Sequence, residues 1–134
     1  MDNVMATMRL PPEPASAGEA RRLVHGALQE VVRPADLDAV VLLTSEVVTN
    51  AVLHAGTPVD LVVGTVQGCI QIEATDAGEQ APVVLDPASD TTRGRGMGIV
   101  AALSQEWGVI PTARGKTVWF RYRPEMGCQS KAGI

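Results

Sequence analysis

Between Val40 and Leu53 the chain is apolar almost whichever way it is turned. Val40, Val41, Leu42, Leu43, Val47, Val48, Ala51, Val52 and Leu53 cover most of a helical wheel. A helix of that composition has to be enclosed by other elements, and this constrains the fold more than any other feature. The helix is expected to run from about Asp36 to His54 and to stop at Gly56. Within it Glu46, Asn50 and His54 recur every fourth residue. Four residues advance a helix only about 40° beyond a full turn, so these side chains share one face. Two readings fit that face. It is either a solvated polar stripe or a line facing a ligand cavity, where a carboxylate near apolar walls requires a partner. His54, close to the helix end, suits a cap better than a ligand.

The elements that enclose this helix follow from the flanking patterns. Val4–Leu10 predicts a short strand closed by Pro11, Pro12 and Pro14. Ser16-x-x-Glu19 has the form of a capping box, and Ala20, Leu23, Val24, Ala27, Leu28 and Val31 continue at helical spacing to a stop near Arg33-Pro34. Val59–Val66 and Cys69–Thr75 are rich in β-branched residues and flank Gln67-Gly68, which predicts a hairpin. Asp76 to Gly98 reads as a long functional loop, Ile99–Glu106 as a short helix, and Trp107–Pro111 and Thr117–Arg123 as closing strands joined by residues 113–116. The sum is a single α+β domain over residues 1–134. It is a two-layer sandwich with helices on one face of a mostly antiparallel sheet.

Composition removes several classes of function. A net charge of −4 argues against direct binding of nucleic acid, which rests on basic patches. Cys69 and Cys128 are too few and too ill-spaced for a zinc site or a disulfide framework. No uninterrupted apolar stretch has the length of a membrane span, and MDNVMATMRLPPEP lacks the apolar core of a signal peptide, so a cytoplasmic protein is expected.

Two further clusters carry chemistry. Thr75-Asp76-Ala77-Gly78 ends a strand in an acid and a glycine, which suits either an ordinary turn or a ligand contact. Arg93-Gly94-Arg95-Gly96-Met97-Gly98 leads into an apolar helix, so its backbone can approach an anion at a helix N-terminus. It lacks the Rossmann spacing. Gly115-Lys116-Thr117 is not the end of a P-loop, because Ile110 stands where the first glycine is required and a strand follows.

Taken in order, Glu46-x-x-x-Asn50, Asp76-x-Gly78, Gly94-x-Gly96-x-Gly98 and Gly115-Lys116-Thr117 resemble the motifs of the GHKL ATPase superfamily, which joins gyrase-type ATPases and histidine kinases on one ATP-binding fold. The resemblance spans nearly the whole chain. SEVVTNAVLHAG and GRGMGIV are most similar to the small serine kinases that act as anti-sigma factors. By that resemblance Glu46 would be the general base, and Asn50 would hold Mg²⁺ bridging the phosphates of ATP. Asp76 would accept from the adenine amino group, with Gly78 allowing the base to lie close. Gly94, Gly96, Met97 and Gly98 would line the phosphates, Arg93 and Arg95 would neutralise their charge, and Thr117 would reach the adenine end through water. The implied partners are a sigma factor and an anti-sigma-factor antagonist, and the implied assembly is a homodimer. Gln80 and Leu53 stand where many histidine kinases carry a glycine and a base. The alternative function is a nucleotide-binding module that regulates a partner by binding alone.

Overall fold

A computed structural model of the chain describes residues 1–78 and 95–125. Among these residues five strands and three helices follow in the order β1 (Asn3–Leu10), α1 (Ser16–Leu28), α2 (Pro34–Ala55), β2 (Val59–Val66), β3 (Cys69–Asp76), α3 (Arg95–Leu103), β4 (Glu106–Pro111) and β5 (Lys116–Tyr122). The strands form one antiparallel sheet in the order β1-β2-β3-β5-β4. The β2–β3 hairpin turns on Gln67 and Gly68, both at positive φ (49° and 78°), as a two-residue turn matched to strand twist requires. Strand alternation sends Leu61, Val63, Ile70, Ile72, Val118 and Phe120 into a buried layer under the helices. Glu73, Thr75, Thr117, Trp119 and Arg121 lie on the opposite, open face. The fold is the two-layer α+β sandwich expected from the sequence.

The central helix is α2, packed against both α1 and α3 and against β3. Its 22 residues would by length and composition alone suffice to cross a membrane. Here Val40, Leu43, Val47, Val48 and Ala51 are instead buried in the core. Buried Thr44 satisfies its hydroxyl by donating to the Val40 carbonyl at 2.8 Å, so it adds no orphan donor to that layer. The helix is not enclosed on every side, because Leu42 and Leu53 are exposed.

Several boundaries differ from the sequence reading. Ser16 is the first helical residue of α1 rather than a cap. Its hydroxyl donates to the Pro11 carbonyl at 2.6 Å, and Glu19 pairs with Arg22, so no capping box forms. α1 ends at Leu28 instead of near Arg33, and α2 begins at Pro34 instead of Asp36. The second shift has a local cause. Pro34 fixes a helical φ at the first position of α2 and holds Arg33 extended (φ −69°, ψ 154°). The last helix begins at Arg95, four residues before the expected Ile99, and ends at Leu103, while β4 begins at Glu106. Glycine disfavours helix locally, but burial of Met97 and Val100 one turn apart holds α3 against α2.

Candidate functional site

The last residue of β3 is the most constrained polar group in the fold. Asp76 follows Ile72 and Ala74 on the helix side of the sheet, and its side chain is fully buried. Oδ1 accepts two hydrogen bonds, from the Gly78 backbone N–H at 2.8 Å and from Lys116 Nζ at 3.0 Å. Oδ2 is equally buried and accepts none among the described residues. An acceptor left unpaired at that depth costs on the order of 1–3 kcal/mol. It suits a site where a ligand delivers an N–H donor.

The neighbourhood of Asp76 is set by close backbone approaches. A Cβ at Gly78 would lie 2.6 Å from that of Ala55, so only glycine lets the chain pass this near the end of α2. The Ala77 N–H donates to Thr57 Oγ1 at 2.9 Å, just beyond the left-handed cap at Gly56 (φ 63°). Thus the end of β3 is pinned to the C-terminus of α2 from both sides of its cap. Gly78 here serves close packing against the helix end. On the other flank, a Cβ at Gly115 would overlap the Asp76 carbonyl, so the β4–β5 turn presses against the same residues.

Glu46 and Asn50 lie half-buried on α2, between the buried positions Val47, Val48 and Ala51. Asn50 precedes Ala55 by five residues, about 7.5 Å along the axis at a helical rise of ~1.5 Å. α2 is therefore the wall common to all three clusters, because β3 ends against its C-terminus and α3 packs along it. α3 brings the backbone of Arg95, Gly96 and Met97 into its first turn, where N–H groups have no intrahelical partner. The Met97 side chain itself is fully buried, and Gly98 is half-buried. Arg93 and Gly94 lie outside the described residues. His54 sits half-buried in the last turn of α2.

One residue is placed differently from its sequence assignment. Thr117 pairs with Thr75 across the strands, and their hydroxyls meet at 2.7 Å on the open face of the sheet. That face is opposite the Asp76 side chain. The residue paired with Asp76 is Lys116, which the sequence reading passed over. Its signal was the alternation Lys116, Val118, Phe120, which sets a lysine in line with two core residues.

The donor set for a divalent cation is limited. Among the described residues no group of three or more His, Cys, Asp or Glu could hold a metal ion. A single amide oxygen at Asn50 with the Glu46 carboxylate one turn away fits Mg²⁺ only if phosphate oxygens complete its shell, which is how that ion is commonly held. A cavity of about 400 Å³ also opens beside Asp76 and Ala77, lined by Arg9, Asp60, Thr75 and Arg114. It touches neither Glu46 nor Asn50.

At the far end of the sheet, Tyr122 donates to Asp36 Oδ1 at 2.7 Å and ties β5 to the first turn of α2. Burial, and then the Asp36 carboxylate beside it, push the Tyr122 phenol up to about 12.

Against known protein families, the chain matches the histidine kinase-like ATPase domain over residues 10–122. That interval runs from the last residue of β1 to the last residue of β5 and contains every described residue of the site. A comparison with curated proteins found no match.

Proposed function

Because the chain belongs to the family of histidine kinase-like ATPase domains, within the GHKL ATPase superfamily, we propose that it is an ATP-dependent protein serine/threonine kinase of regulatory type. Family membership implies an ATP-binding, kinase-like domain. The finer reading is an anti-sigma factor that phosphorylates an anti-sigma-factor antagonist. The observation that carries nucleotide binding is the buried Asp76 carboxylate, whose Oδ1 is satisfied by protein while Oδ2 has no partner among the described residues. The observation that favours a kinase over a mere binder is Glu46, one helical turn before Asn50 on the same face of α2.

On this reading Asp76 Oδ2 accepts from the adenine amino group, and the first-turn N–H groups of α3 face the phosphates. The Glu46 carboxylate takes the proton of a partner serine as its oxygen bonds to the γ-phosphorus and ADP departs. Mg²⁺, held through Asn50, would neutralise phosphate charge. Positioning and charge stabilisation then carry most of the catalysis, as in phosphoryl transfer generally. The protein acts in the cytoplasm, away from membrane and nucleic acid, as a homodimer, for which light scattering should give twice the chain mass. The second reading is a module that binds nucleotide and grips its partner without phosphorylating it.

The test is to capture partners from the native cell with the tagged protein, identify them by mass spectrometry, and supply ATP labelled at the γ-phosphate. Label on a serine or threonine of a captured protein supports the kinase. Nucleotide-dependent capture with no transfer to any partner favours the binding module.

A further inference from the structure

We infer that Lys116 reads the nucleobase, its ammonium donating directly to the adenine ring nitrogen N1 while Asp76 Oδ2 accepts from the exocyclic amino group. This rests on the nucleotide-binding reading above and adds to it a specificity residue.

Lys116 is as unusual in its place as Asp76. Its side chain is 5% exposed and its ammonium makes one hydrogen bond among the described residues, to Asp76 Oδ1. An ammonium has three donors and no acceptor, so two remain for other partners. A buried ion pair contributes little net stability compared with apolar residues of similar size. The lysine and the Gly78 N–H share Oδ1, and among the described residues Oδ2 has no partner. The result is a donor and an acceptor side by side, both buried and both aligned by strand pairing of Asp76 with Lys116.

Adenine presents the complementary order on its Watson–Crick edge, an amino donor beside the N1 acceptor. Guanine in the same orientation would set its carbonyl against Oδ2. The Gly115 backbone, pressed against Asp76 and Ala77, holds the lysine's strand at this distance, so the pair is in place before the base arrives. Such preorganisation favours binding by reducing the ordering cost.

The test compares ATP with 1-deaza-ATP, in which carbon replaces N1, by titration calorimetry. The unmodified protein should bind 1-deaza-ATP about 10- to 100-fold more weakly, the loss expected for a charge-assisted hydrogen bond. In Lys116→Met the two nucleotides should bind within about threefold of each other, because the residue that senses N1 is gone. A structural role for Lys116 would weaken both nucleotides alike and leave their ratio unchanged, which would overturn the inference. So would equal affinities in the unmodified protein, a measurement that needs no variant to fold. Failure of ATP itself to bind would instead remove the nucleotide reading on which the inference rests.

Discussion

At the scale of single residues, Asp76 concentrates the cost and the purpose of the site. Its buried Oδ2 has no partner among the described residues, so the adenine-nucleotide reading makes a direct demand on it. Asp76→Asn replaces one carboxylate oxygen by an NH2 group that donates and cannot accept, with almost no change in shape. We expect adenine-nucleotide affinity to fall about tenfold or more, while Gly127→Ala, a control in the C-terminal residues, leaves it unchanged. Equal affinities in a titration would remove Asp76 from the site. The identity of this residue was legible in the sequence as an acid closing a β-branched run. Its lysine partner was not, because pairing depends on the register between β3 and β5, which local pattern does not fix. The same register sends Thr117 to the open face, although it lies next to Lys116 in the chain.

At the scale of elements, α2 was the most legible part of the molecule. Its apolar wrapping and its Gly56 stop announced a core helix, and the four-residue spacing of Glu46 and Asn50 placed them on one face of it. The β2–β3 hairpin was equally plain, since Gln67-Gly68 separates two β-branched runs. Element starts were harder to read. Ser16 and Glu19 satisfy a capping pattern but spend their polar atoms on Pro11 and Arg22. The start of α3 was hidden by its glycines, since only tertiary burial of Met97 makes a helix there favourable. Met97→Ala should therefore lower stability by about 2–5 kcal/mol in a urea titration, as for a well-packed core position. Met97→Leu should cost less than about 1.5 kcal/mol. If Met97→Ala were neutral, the side chain would not be packed in the core and α3 would not be anchored through it.

At the scale of the whole molecule, the two ends of the sheet are fastened to α2 by different means. One end carries the site through Gly78, Thr57 and Ala55, and the other is tied by Tyr122 to Asp36. The phenol's value of about 12 in the fold lies above its ordinary value of 10.0, so the folded state holds this proton more tightly than the unfolded chain. Its contribution is fully present below about pH 10 and is lost as the pH rises toward 12. Tyr122→Phe should thus lower stability by about 1 kcal/mol at neutral pH and flatten the decline between pH 10 and 12 in denaturant titrations. A variant with the same alkaline decline as the parent would contradict the assignment. The account of the molecule as a kinase rests above all on Glu46, and the most direct measurement is phosphoryl transfer set beside ATP affinity in two variants. Glu46→Gln would keep the helix and the proposed Asn50–Mg²⁺ contact but removes the proton acceptor, so transfer to the partner should fall by roughly 10²–10⁴-fold while ATP affinity changes little. Asn50→Ala should lose metal-dependent binding and transfer together. If Glu46→Gln transfers phosphate at the parent rate, the glutamate is structural and the proposed mechanism is wrong.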